Sequence, residues 1–122
     1  GQAMNYSWII GLLKVQLQYE NLQNVVLTVD WRRVCTQGPY SASCYGQVTC
    51  APPNPNDFTD FSKLTQEQVT GWVESILGPE LIATYNATLA EQIMTLSTTK
   101  PSFTTADVLA IIDQKETLKD DV

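Results

Sequence analysis

Histidine is absent from this chain of 122 residues. That removes the commonest general base near neutral pH and the commonest metal ligand. A Ser-His-Asp or Cys-His nucleophile system is therefore impossible within the chain. Ser-Lys and Cys-Lys arrangements find no support in the spacing. Clustered glycine is also lacking: Gly11, Gly38, Gly46, Gly71 and Gly78 stand alone, so no phosphate-cradling loop is present. Basic residues are few, with seven Lys and Arg against 13 acids and a net charge of −6. This balance disfavours direct nucleic-acid binding, which usually needs a basic face. The one basic pair, Arg32-Arg33, would point to opposite sides of a strand and makes no such patch. Long hydrophobic runs are missing too. The longest, Trp8 to Leu13, is far too short to span a bilayer. No positively charged segment precedes it, so no secretory signal is read and no membrane partner is expected.

What is present describes an ordinary globular domain. The apolar fraction is 43%, enough to build a core and too much for a disordered chain. Gly1-Gln2-Ala3 ahead of Met4 reads as an expression-tag scar, which leaves 4–122 as one expected domain. Charge is divided unevenly. Residues 1–53 hold three basic side chains against two acids, or +1; residues 54–122 hold four lysines against eleven acids, or −7. The plain reading is solubility; the sharper one is an acidic surface that meets a basic partner.

The three cysteines are Cys35, Cys44 and Cys50. An odd count without a signal peptide favours free thiols in a reducing compartment. Eight and five residues separate them, with no CxxC pair and no fourth ligand, so a zinc site is not expected. Cys44 and Cys50 fall on one side of one strand, about 20 Å apart if extended. Cys35 and Cys44 flank a hairpin, and a bridge between them is the alternative to free thiols. Asp57 and Asp60 are too few and too far apart for a calcium loop and read as turn residues. No metal or cofactor is expected.

Periodicity divides the chain in two. Leu13, Val15, Leu17 and Tyr19 alternate with Lys14, Gln16, Gln18 and Glu20, which predicts a strand. Upstream the parity differs, with Tyr6, Trp8, Ile10 and Leu12 apolar. That face switch predicts a bulge near Gly11, or burial of the strand's start on both sides. Glu20 to Asn24 reads as a polar turn. A second strand then runs from about Val25 to Thr36, with Val25, Leu27, Val29 and Trp31 on one face and Thr28, Asp30 and Arg32 on the other. After Gln37-Gly38-Pro39 a weaker third strand, Tyr40 to Cys50, suits an edge. Short connections make these an antiparallel meander over about 6–50.

The segment 51–61, with Pro52, Pro53 and Pro55, reads as the crossing to a helical half, tacked to the core by Phe58 and Phe61. Thr65 is an N-cap, and Gln68 three residues on predicts a capping box, with Leu64 stapled to Val69. Val69, Trp72, Val73, Ile76 and Leu77 form an apolar stripe on a helix over about 65–77. Gly78-Pro79 ends it and begins a second helix over about 79–96, with Ile82, Tyr85, Leu89, Ile93 and Leu96 inward. The start signal recurs in Phe103, Thr104, Asp107 and Val108. It predicts a third helix over about 104–116 with Val108, Leu109, Ile111 and Ile112 as its apolar side. The expected class is α+β: a three-stranded antiparallel meander, two helices packed on one face of it, and a third C-terminal helix. Trp8, Trp31 and Trp72 are assigned to the core.

One feature points outward. Strand three carries Ser43, Tyr45, Gln47 and Thr49 on one side, with no charge, Lys or Pro within it to blunt an edge. These four are the candidate interaction residues. A homo-oligomer, most simply a dimer, is the expectation. The alternatives are a fold-back of the Pro-rich segment or third helix, and a different protein partner.

Several stretches together resemble a known group: Tyr6-Ser7-Trp8-Ile9-Ile10, Val25 to Trp31, Pro55-Asn56-Asp57-Phe58, Leu64-Thr65-Gln66-Glu67-Gln68-Val69-Thr70-Gly71-Trp72-Val73, and a helix closing near Gln92-Ile93. The pattern, from about Met4 to Leu96, is similar to a family of small uncharacterised proteins of tailed bacteriophages, many marine or cyanobacterial. The run from Leu64 to Trp72 is its most specific part. The chain departs from it in the third helix, Phe103 to Leu118, and in the Cys-containing third strand. The resemblance implies a viral protein located in the infected host cytoplasm, the virion or both, and it supplies no catalytic residues. The expected function is non-catalytic, through protein–protein contacts, as a small virion component or accessory factor. The alternative is an acidic, host-directed inhibitor of a nucleic-acid-binding host protein.

Overall fold

The computed structural model describes residues 3–99 and 104–120, with side chains up to residue 114. Three strands, β1 (Asn5–Tyr19), β2 (Leu22–Gln37) and β3 (Tyr40–Thr49), form one antiparallel sheet in the order β1-β2-β3. Three α-helices follow: α1 (Gln66–Leu77), α2 (Pro79–Thr98) and α3 (Thr105–Asp120). Two single 3₁₀ turns, Pro55–Asp57 and Phe61–Lys63, shape the crossing between sheet and helices. The α+β class and the meander are as the periodicity predicts.

Both hairpins are tight. Tyr19 pairs with Leu22, so the first turn is Glu20-Asn21 alone and β2 begins before Val25. Gln23, expected in the turn, pairs with Gln18 instead, and Asn24 lies within β2 at a left-handed φ of +55°. Gln37 pairs with Tyr40 across Gly38-Pro39, and Gly38 takes φ +55°, the left-handed value that a two-residue turn of this kind requires at its first central position.

The face switch in β1 is a bulge. Ile10 pairs with Trp31 and Leu13 with Val29, so Gly11 and Leu12 together oppose Asp30. The extra residue lets Trp8 and Ile10 before it, and Leu13 and Val15 after it, all face the helices. A second irregularity lies on β2, where Lys14 pairs with Thr28 but Val15 with Val26, leaving Leu27 extra. This corrects the expected face of β2. Val29 and Trp31 point to the helices, but Val26 joins them in the core in place of Val25 and Leu27. Val25, opposite Gln16, is nonetheless buried.

Helices α1 and α2 cover one side of the sheet. The main core joins Val26, Val29, Trp31 and Val48 to Val69 and Val73 of α1. A smaller cluster joins Cys35 to Leu89 and Ile93 of α2, all three fully buried. Trp31 is central: Trp8 meets it edge-on at 5.6 Å and Tyr85 at 5.1 Å between ring centroids. The indole lies directly over Gly46, where a Cβ would sit 2.3 Å from Trp31 Cζ2. Both stripes loosen toward their ends: Ile76 and Leu96 remain 46% and 47% exposed. Phe58 is half-buried, whereas Phe61 stays largely exposed.

Thr65 caps α1, its Oγ1 accepting from Gln68 N–H at 3.1 Å. The reciprocal half of the expected capping box does not form. The Gln68 amide instead donates to Thr59 Oγ1 at 3.0 Å, tying the crossing to the helix. Thr65→Ala should therefore cost about 1 kcal/mol through the lost cap. A fall in the urea midpoint with unchanged slope is the expected result, and an unmoved midpoint would show that Thr65 contributes no cap. Gly78 at φ +83° ends α1, its N–H donating to Glu74 O, while its own carbonyl accepts from Ile82 and starts α2.

At α3 the box is complete: Thr104 Oγ1 accepts from Asp107 N–H, and Asp107 Oδ2 accepts from Thr104 N–H. Phe103, expected to staple this start, lies outside the described residues. Val108, Leu109, Ile111 and Ile112 are 40–58% exposed, so the apolar side of α3 is not laid on the sheet.

Candidate interaction surface

The helices leave one side of the sheet open, and β3 forms one of its two edges. Ser43, Tyr45, Gln47 and Thr49 all lie on this open side, opposite Val34, Arg32, Asp30 and Thr28 of β2. The structure therefore brings the four candidate residues together, as their alternation predicts. It adds two charged neighbours. The Arg32 guanidinium lies 5.0 Å from the centroid of the Tyr45 ring, and its Nη2 donates to Ser43 Oγ at 3.0 Å. Gln47 Nε2 donates to Asp30 Oδ1 at 2.7 Å. Arg32 Nε is buried without a partner. Tyr45 itself is 72% exposed. Arg32 and Asp30 were legible as outward residues of β2, but only the register shows that β3 uses them to fix its own side chains.

The backbone of β3 is as informative. Cys50 N–H donates to Leu27 O at 2.8 Å, which makes Leu27 and Cys50 a hydrogen-bonded pair. Pairing then runs without a shift from Thr28↔Thr49 to Gln37↔Tyr40. In an antiparallel ladder, hydrogen-bonded and non-bonded pairs alternate. The even-numbered residues of β3 thus bond to β2, and Ser41, Ser43, Tyr45, Gln47 and Thr49 direct their N–H and C=O groups to the free edge. Among the described residues no backbone hydrogen bond from the Pro-rich segment or α3 reaches them.

Arg33 points the other way. Its Nε donates to Asn86 Oδ1 at 3.0 Å, and its guanidinium stacks 4.5 Å from the Trp8 centroid and 5.6 Å from that of Tyr6. Burial pulls its pKa down from the ordinary value, and Glu74 opposes that shift. Arg33 thus joins sheet to α2, and the two arginines form no joint patch.

A depression of about 340 Å³ lies where the crossing meets α1, lined by Val26, Cys50, Phe58, Leu64, Trp72 and Ile76 among others. No local sequence pattern marks it, because its walls come from four separate stretches. Burial pushes the Cys50 thiol up, which disfavours the nucleophilic thiolate. Cys44 is raised for the same reason, with Arg33 opposing. All three cysteines are free. Cys35 pairs with Ala42 and Cys44 with Arg33, so the bridge weighed from the sequence lacks the direct opposition it needs. Under denaturing, non-reducing conditions three thiols should titrate. In the folded protein Cys35, fully buried, should resist alkylation until unfolding, with Cys44 and Cys50 reacting slowly. Prompt labelling of Cys35 would contradict its place in the core.

Among the described residues no group of His, Cys, Asp and Glu is placed to hold a metal ion. No described helix is long and apolar enough to cross a membrane. Fold and surface define an α+β protein with a half-covered antiparallel sheet. The chain belongs to the family described as a domain of unknown function (DUF7936), which it matches over residues 3–108. That match ends in the first turn of α3. No curated protein and no solved structure matches the chain.

Proposed function

We propose that this is a non-catalytic protein that works through protein–protein contacts made by the open side and β3 edge of its sheet. One of its partners is a second copy of itself. The observation that carries the reading is the uncharged β3 edge, with its backbone groups unpaired among the described residues and Tyr45 exposed beside them. Such an edge in a folded protein is commonly covered by an added strand. The motif resemblance supports a phage-encoded role, as a virion component or accessory factor in the infected cell. Light scattering at micromolar concentration tests self-association: a particle of 13.6 kDa throughout rejects it.

A second reading has its own support. Glu67, Glu74, Glu80 and Glu91 are all exposed on the helical layer, in the half of the chain that carries the negative charge. That layer suits a basic partner, such as a nucleic-acid-binding host protein held through charge mimicry. Proteomics of purified virions separates the two roles. Many copies per particle support the structural role, and absence with early expression supports the host-directed one.

A further inference from the structure

The sheet has two edges, and they are not equivalent. The outer side of β1 is long, but the bulge at Gly11-Leu12 interrupts it, and Lys14 adds a charge. Bulges and lysines are devices that keep an edge from pairing. β3 has neither. Its pairing with β2 keeps one register over its whole length, so its free side presents a regular row of donors and acceptors.

That row is self-complementary about one residue. The outward-bonding positions are Ser41, Ser43, Tyr45, Gln47 and Thr49, and Tyr45 is their midpoint. A two-fold axis at Tyr45, normal to the sheet, sets Ser41 against Thr49 of a second copy, Ser43 against Gln47, and Tyr45 against its own mate. Every outward position then meets another outward position. Five pairs exchanging two bonds each give about ten backbone hydrogen bonds. Moving the axis two residues along the strand would leave outward groups at both ends unpaired. The side chains permit the central register. None of the five is charged, so no like charges meet on β3. The nearest charges, Arg32 and Asp30, already bond to Ser43 and Gln47 of their own chain. The axis would also set the two Tyr45 rings side by side, each backed by its Arg32.

We infer that two copies of this chain join edge to edge through β3, antiparallel and centred on Tyr45, into one continuous six-stranded sheet with the helices of both copies on the same side. This rests on the self-association proposed above and specifies its geometry. It also explains why β3 carries no protecting charge while β1 is doubly protected.

Disulfide trapping reads the register directly. Hydrogen-bonded antiparallel neighbours have Cα atoms about 5.5 Å apart, within the span of a disulfide. Ser43→Cys and Gln47→Cys copies would be prepared separately, mixed, and oxidised. The expected product is a covalent dimer whose bridge, mapped by peptide mass spectrometry, joins position 43 of one copy to position 47 of the other. Mapping distinguishes it from any bridge through the native cysteines. Either variant alone should give no such dimer, because like positions lie four residues out of register. Light scattering of the unmodified protein runs beside it. A particle of twice 13.6 kDa with the mixed bridge supports the inference. A particle of that size with a 43–43 bridge, or with none, overturns the register and leaves self-association standing. A monomer overturns both. As a second readout, Tyr45→Lys sets two ammonium groups opposite each other and should weaken the dimer about tenfold with the circular dichroism spectrum unchanged. A dimer indifferent to that change overturns the inference.

Discussion

Gly46→Ala is expected to destabilise the protein by about 3 kcal/mol or more, although it adds one methyl group. The added Cβ would sit 2.3 Å from Cζ2 and 2.6 Å from Cε2 of Trp31. Neither atom can yield cheaply. The indole is 3% exposed and held between Trp8 and Tyr85, so displacing it disturbs the centre of the core. The backbone at Gly46 is fixed by its pairing with Trp31 itself. Against a total stability of about 5–15 kcal/mol, such a loss is a large fraction of the whole. Chemical denaturation should show a sharply lowered midpoint. The cause is separable by a double-mutant cycle with Trp31→Leu, which vacates the space above residue 46. In that background the alanine should cost far less, giving a coupling energy of about 1–3 kcal/mol. Additive costs would mean that the indole does not lie over Gly46.

Leu89→Ala should cost about 2–5 kcal/mol. Leu89 is fully buried on α2 and shares its cluster with Cys35 and Ile93, flanked by Met4, Tyr40, Ala42 and Cys44. This small cluster ties α2 to the start of β3. Few neighbours can move in to fill the void, since Cys35 lies on a paired central strand and Ile93 on the same helix. The effect should not stop at global stability. Loosening α2 removes support beneath Ala42 and Cys44, so amide exchange along β3 should accelerate more than along β1. Uniform acceleration would argue that α2 and β3 are not a separable unit.

Both predictions concern residues that the sequence marks only in part. Leu89 was legible as one position of a 3.6-residue stripe, and the stripe proved correct at its centre and loose at its ends. Ile76 and Leu96 continue the pattern but line open depressions beside the sheet and stay about half exposed. Gly46 was visible only as an isolated glycine in a weak strand. Its reason, the tryptophan directly across the ladder, emerges only once Gly38-Pro39 is known to be a two-residue loop, which fixes the register that sets Gly46 opposite Trp31. The candidate residues Ser43, Tyr45, Gln47 and Thr49 were legible as a set because strand alternation alone puts them on one side. Their hydrogen bonds to Arg32 and Asp30, and the direction of their backbone groups, required the pairing partner.

What the sequence determined by itself is the local layer. Alternation in β1 and β2, the Gly38-Pro39 turn, the Thr65 cap and the Gly78-Pro79 break each follow from interactions within a few residues, where backbone sterics and side-chain reach decide the conformation. The same locality explains why a bulge could be placed near Gly11, where the apolar parity visibly flips. Only the tertiary structure decided the rest. It put Val26 into the main core cluster with Val29 and Trp31, with Val25 buried outside that cluster and Leu27 only half-buried, because the second irregularity shifts the register between β1 and β2 at Leu27. It gave the Gln68 amide to Thr59 instead of the cap, because the crossing packs close enough to compete. It turned Arg33 under the helices and left Arg32 on the open side, because alternation separates the two but only packing selects which side is covered. It left the apolar side of α3 exposed for a related reason: a stripe shows that a helix has a surface to bury, and only the arrangement of the other elements determines whether this chain supplies one.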